Sequence, residues 1–164
     1  MSTIWLVGVM GVGKTSAGRL AAQRLGVPFS DTDEMVERDA GATIPAIWRV
    51  HGEEGFRALE ARAVEAAAET GGVVATGGGV VLSEENREKM TGTVIWLTAS
   101  PGTIASRIDG SNRPLLGAAD VSSRMERIIE ERAPYYQKVA THRLATDDLD
   151  VTGVADEIVR LVSR

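Results

Sequence analysis

Short apolar runs alternate with amphipathic stretches along this chain. Thr3 to Val7, with Ile4-Trp5-Leu6-Val7 apolar throughout, predicts a buried strand. Lys14 to Leu25 predicts the helix that follows, with Leu20, Ala21 and Leu25 on its inner face and Gly26 after its last turn. Val27 to Ser30 is a second short strand that runs into Asp31-Thr32-Asp33, and Met35 and Val36 carry a helix to Ala40, where Gly41 breaks it. Thr43 is the expected N-cap of a short helix through Ile44, Ile47 and Trp48, with Pro45 in its first turn. His51-Gly52 interrupts, and Glu53 to Glu69 repeats apolar residues at helical spacing up to Gly71-Gly72.

Val73 to Thr76 predicts a third strand, ending in Gly77-Gly78-Gly79. Ser83 is placed to cap a charged, solvated helix from Glu84 to Met90, and Thr93 to Leu97 is a further buried strand. A helix starts at Ser100-Pro101 and reaches about Ile108. Asp109 to Asp120 has no period and reads as a mobile loop, Val121 to Tyr136 as helix, His142 to Thr146 as a last strand and Thr152 to Val162 as a closing helix. Apolar strands separated by helices imply an α/β fold with a parallel sheet covered on both faces. Such sheets hold ligands beyond the carboxyl ends of their strands, so Gly8 to Thr15, Asp31 to Asp33 and Gly77 to Gly79 become the places to look for chemistry.

Composition narrows the classes. The 164 residues suit one domain that needs no disulfide or metal to hold it, and 43% hydrophobic with 25% charged residues is ordinary for a globular chain. Cysteine is absent, which removes thiolate catalysis and Cys-ligated zinc; His51 and His142 are too far apart to suggest a metal motif. A net charge of −5 argues against nonspecific nucleic-acid binding. No apolar run is long enough to span a bilayer and no secretory signal opens the chain, so a cytoplasmic protein with no membrane partner is expected.

Gly8-Val-Met-Gly-Val-Gly-Lys14-Thr15 lies directly between strand and helix, the setting of a phosphate-binding loop. Its glycines let successive N–H groups point at an anion, and the helix N-terminus adds partial positive charge. Gly11, Val12, Gly13, Lys14, Thr15 and Ser16 are the expected nucleotide-binding residues; Lys14 can reach the β- and γ-phosphates and Thr15 can hold Mg²⁺. Asp31 is the expected second oxygen ligand of the metal, and Asp33 the group that accepts a hydrogen bond from an acceptor hydroxyl and takes its proton. Asp31 or Thr32 also suits a helix cap. Gly77, Gly78 and Gly79 let a ligand approach the backbone. Arg113, in the unpatterned loop, suits the tip of a segment that covers a triphosphate and stabilises the transferred group. From the residues alone, Arg57 with Glu60 reads equally as a surface pair, and Arg132 as a charge near a helix C-terminus.

The ordered set of these motifs resembles the shikimate kinase family of the nucleoside monophosphate kinase-like branch of phosphate-loop proteins. It comprises the loop, Asp31-Thr32-Asp33, Gly52-Glu53, Phe56-Arg57-x-x-Glu60, Gly77-Gly78-Gly79, Arg113-Pro114-Leu115-Leu116 and Glu131-Arg132-x-x-x-Tyr136. The resemblance covers nearly the whole chain. It implies one kinase domain over residues 1–164, with a five-stranded parallel sheet in order 2-3-1-4-5, a substrate-binding helical segment at about 32–60 and a lid at about 109–120. It implies transfer of the γ-phosphoryl of ATP to the 3-hydroxyl of shikimate, with Mg²⁺, by a monomer. Arg57 and Arg132 are implied to hold the shikimate carboxylate and Asp33 its ring hydroxyls, with Gly77 to Gly79 against the substrate; Glu60 is implied to orient Arg57, Arg107 to lie at the adenine and Arg113 to be the lid arginine. Asp147-Asp148-Leu149-Asp150 is acidic where several members carry an arginine near the adenine. A gluconate kinase-like enzyme and a non-catalytic nucleotide-binding module are the competing expectations.

Overall fold

A computed structural model describes residues 1–109 and 118–164 of the chain. The first strand, β1 (Ile4–Val7), is followed by α1 (Lys14–Leu25), β2 (Phe29–Asp31), α2 (Thr32–Ala40), α3 (Ile44–Thr70) and β3 (Val73–Ala75). A 3-10 turn (Val80–Leu82) and α4 (Glu84–Lys89) lead to β4 (Thr93–Thr98), then α5 (Pro101–Asp109), α6 (Ala118–Val139), β5 (His142–Ala145) and α7 (Val151–Val162). The sheet has five strands in order β2-β3-β1-β4-β5, all parallel.

The central strand carries the core. Ile4, Trp5, Leu6 and Val7 are buried, as are Val73 and Val74 of β3 and Val94 to Leu97 of β4. A strand with helices on both faces has no solvent side, which is why β1 is apolar at every position rather than alternating. Burying each large side chain contributes roughly 1.5–3 kcal/mol. Register puts the site at one edge: Leu6 pairs with Ala75 and Ala75 with Asp31, so β1, β3 and β2 end nearly flush.

Local chemistry explains several element boundaries. The Asp31 carboxylate accepts hydrogen bonds from the amides of Asp33 and Glu34, so α2 starts at Thr32, earlier than the apolar pattern suggests. Thr43 accepts from the Ala46 amide and Ser83 from the Asn86 amide, so both expected caps are present. Gly52, at φ 66° and ψ −171°, breaks α3 within its span, where His51-Gly52 was expected to interrupt. Helix α4 is not wholly solvated, because Asn86 is buried and donates to the Val80 carbonyl. The expected loop Asp109 to Asp120 is shorter at both ends, since α5 includes Asp109 and α6 begins at Ala118. Arg113 and most of the expected lid lie outside the described residues.

Gly8 is where the chain leaves β1. Its φ is 147°, and a Cβ there would stand 2.5 Å from the Leu97 carbonyl oxygen. Gly8→Ala would therefore part β1 from β4 at the mouth of the loop. We expect at least a tenfold loss of nucleotide affinity, to about that order, with a lowered melting temperature. Titration calorimetry with ATP and a thermal melt check it; unchanged affinity would contradict it.

Candidate active site

The loop after β1 leads into the N-terminus of α1, with Gly13 in the left-handed conformation as its N-cap. Lys14 is 8% exposed, and its ammonium donates to the carbonyls of Gly8 at 2.6 Å and Val9 at 2.9 Å, which ties the side chain back across the loop. Burial lowers its pKa to about 8, against the pull of the Asp33 and Asp31 carboxylates, so it remains cationic at neutral pH. A cavity of about 390 Å³ opens here, lined by Lys14, Thr15, Asp31, Asp33, Gly78 and Arg107 among others.

Thr15 and Asp31 meet in that cavity, where the hydroxyl donates to the second carboxylate oxygen at 2.5 Å. The Asp31 cap of α2 therefore uses one carboxylate oxygen and leaves the other directed at Thr15. A hydroxyl and a carboxylate side by side are hard oxygen donors and fit Mg²⁺. Among the described residues no group of three or more His, Asp or Glu could hold a metal.

The third strand end gathers three charged side chains. A methyl group on Gly77 would stand 2.6 Å from Asp33 Oδ1, one on Gly78 2.9 Å from an Arg132 Nη1, and one on Gly79 2.7 Å from Arg57 Nη1. Each glycine is therefore a place where a charged side chain lies against the backbone. The same turn brings together Asp33 from α2, Arg57 from α3 and Arg132 from α6, residues far apart in sequence. Burial pushes the Asp33 carboxyl up, helped by Asp31 and opposed by Lys14.

Arg57 is held from several sides. Its Nη1 donates to Glu60 at 2.8 Å, Glu53 lies 3.7 Å from its Nε, and its guanidinium sits 5.3 Å from the Phe56 ring centroid. Phe56 stacks on Trp48 at 5.3 Å. Glu60 is only 1% exposed, so this is no surface pair; burial pushes its carboxyl up although the Arg57 bond pulls the other way. A carboxyl raised on folding binds its proton more tightly in the folded state, so its charge costs stability above that raised value and the cost fades as pH falls through it. Glu60→Gln should therefore melt at or above the wild type at pH 7, with the difference closing toward acid pH. It should also free Arg57 and weaken binding of an anionic acceptor by about three- to tenfold. Melting curves at two pH values and acceptor titrations test this; a difference that widens on acidification would contradict it.

Arg107 donates to Gly11 O at 3.4 Å, Thr146 Oγ1 at 3.2 Å and Thr146 O at 2.9 Å, joining the loop after β1 to the end of β5. It lines both the phosphate cavity and a neighbouring one of about 330 Å³ formed with Val12, Ala17, Leu149, Asp150 and Val154. The acidic segment has structural work of its own. Asp147 accepts from the Ser100 amide and the Thr103 hydroxyl, and Asp150 caps α7 through the Gly153 amide. The residues alone pointed to none of Thr32, Thr76, Thr146 or Tyr136 as parts of the site. Only the Tyr four residues after Arg132 carried a signal, because that spacing puts both on one helix face.

A phosphate loop with its lysine, a carboxylate beside the Thr15 hydroxyl, and a separate anion-recognising turn facing them define a phosphate-loop kinase acting on a small acceptor. The chain belongs to the shikimate kinase family, whose sequence profile matches residues 10–163. It is 49% identical over 162 residues to the shikimate kinase of Symbiobacterium thermophilum, covering 95% of this chain and 93% of that one. The structure of Acinetobacter baumannii shikimate kinase in complex with shikimate superposes with a TM-score of 0.89 at 35% identity, covering 99% of this chain and 93% of that chain. A gluconokinase from Sinorhizobium meliloti, at 18% identity and a TM-score of 0.60, shares the fold.

Proposed function

We propose that this protein transfers the γ-phosphoryl group of ATP to the 3-hydroxyl of shikimate, giving shikimate 3-phosphate and ADP on the route to aromatic amino acids. The observation that carries the proposal is the triglycine turn, against which Asp33, Arg132 and Arg57 lie at three successive residues. One carboxylate and two guanidiniums suit a small ring bearing hydroxyls and a carboxylate, and they discriminate against neutral sugars, which offer the arginines no anion. The known complex of a relative with shikimate supports the same acceptor.

In this reading Gly11 to Ser16 wrap the phosphates with backbone N–H groups, and Lys14 shifts its ammonium from the loop carbonyls to the β- and γ-phosphates. Thr15 and Asp31 would hold Mg²⁺, which would supply charge neutralisation at the phosphates. Arg57 and Arg132 bind the shikimate carboxylate and so fix where the 3-hydroxyl stands. Asp33 accepts a hydrogen bond from that hydroxyl and takes its proton as the oxygen attacks; its raised pKa makes it a better base than an ordinary carboxylate. Arg107 is assigned to the adenine, and Arg113, outside the described residues, is assigned to the transferred phosphoryl group from the sequence alone. The chain is read as a single kinase domain over residues 1–164 that acts as a monomer, with Asp33, Arg57 and Arg132 brought to one turn. Its need for ATP supports a cytoplasmic setting, and among the described residues no helix is long and apolar enough to cross a membrane.

The test is ADP release with shikimate, gluconate and nucleoside monophosphates as acceptors, in magnesium and after chelation. Turnover on shikimate alone, lost on chelation, is expected. Turnover on another acceptor with none on shikimate would overturn the proposal.

A further inference from the structure

Backbone bookkeeping at the triglycine turn singles out two side chains with no part in the chemistry above. The last ladder bond from β3 runs from the Thr76 amide to Leu6 O, so the next amide, that of Gly77, has no strand partner; it donates instead to Thr32 Oγ1 at 2.9 Å. Of the three carbonyls in the turn, Gly77 O accepts from the Val80 amide and Gly79 O from the Leu82 amide. The remaining one, Gly78 O, accepts from Tyr136 Oη at 2.6 Å. Both side chains are buried, Thr32 at 0% and Tyr136 at 1% exposure, where an unpaired backbone group would find no water.

Each of these hydrogen bonds is coupled to a charged neighbour on its own helix. Thr32 precedes Asp33, and both meet Gly77; Tyr136 follows Arg132 by one turn of α6, and both meet Gly78. Burial pushes the Tyr136 phenol up to about 12, so it stays a neutral donor, and its ring packs on Trp96 at 5.6 Å. We propose that Thr32 and Tyr136 are positioning residues for the acceptor: by pinning Gly77 and Gly78 they set the span between Asp33 and Arg132. The inference rests on the acceptor site proposed above. Neither side chain need touch the substrate; Gly78 also borders the phosphate cavity beside Gly8 and Met10, whereas the Gly77 bond from Thr32 lies at Asp33.

Steady-state kinetics and melting curves on Thr32→Val, Thr32→Ser and Tyr136→Phe test it. Val keeps the shape of Thr and removes the acceptor; Phe keeps the ring on Trp96 and removes the donor. Both should raise the shikimate KM about five- to twentyfold, leaving the ATP KM within about twofold, and Thr32→Ser should restore most of the loss. An unchanged shikimate KM in the folded variants, or equal rises in both KM values, would overturn the inference. If Thr32→Val does not fold, Tyr136→Phe decides. The wild type separates the two claims: no turnover on shikimate overturns the acceptor reading, whereas normal wild-type turnover with insensitive variants overturns the positioning role alone.

Discussion

Asp33→Asn should lower kcat on shikimate by about two to four orders of magnitude while leaving ATP affinity nearly intact. Asn can still accept a hydrogen bond and fits the space beside Gly77, so the turn should keep its place. What it cannot do is take the hydroxyl proton. The split between turnover and nucleotide binding follows from position, since Asp31 faces Thr15 at the phosphate end while Asp33 lies on the glycine turn. Single-turnover kinetics with an ATP titration check it. Unchanged turnover would remove Asp33 from the reacting hydroxyl; a pure loss of ATP affinity would move it to the nucleotide.

The second large effect belongs to the arginine pair. Arg57→Ala and Arg132→Ala should each weaken shikimate binding about 10- to 150-fold, the range for a charge-assisted hydrogen bond to a carboxylate. Arg57→Ala carries a further penalty, because Glu60 is 1% exposed and would lose its 2.8 Å partner. Arg57→Lys should recover little, since a point charge cannot reproduce the fork that reaches Glu60 and a ligand together. Because both arginines are proposed to grip one carboxylate, the double variant should lose less than the product of the single losses. Calorimetric titration with shikimate measures all three. A loss confined to ATP affinity would contradict the clamp.

How far these residues could be read in advance depends on whether their role is local. β1 and α1 were legible almost to the residue, because an unbroken apolar run before a glycine loop has few other solutions in a parallel sheet. The three strand ends followed from the same pattern. Arg57 and Glu60 were ambiguous for a physical reason: an i, i+3 pair on a helix looks the same in sequence whether it faces water or a neighbouring turn. In the structure Arg57 lies against Gly79 and Glu60 is 1% exposed, so the pair faces inward. Resemblance to the family, not periodicity, is what assigns that pair and Arg132 to an acceptor. Thr32 reads in the sequence only as an alternative to Asp31 for the helix cap, because its partner, the Gly77 amide, lies 45 residues away. The acidic stretch after β5 looked like a change at the nucleotide, yet two of its carboxylates are occupied with the ends of α5 and α7.

A crystal structure of this protein with shikimate and ADP tests the central claim most directly. The account requires the shikimate carboxylate between Arg57 and Arg132, ring hydroxyls on Asp33, and the 3-hydroxyl turned toward the phosphate loop. A shikimate bound with its carboxylate away from both arginines, or outside the triglycine turn, would contradict it.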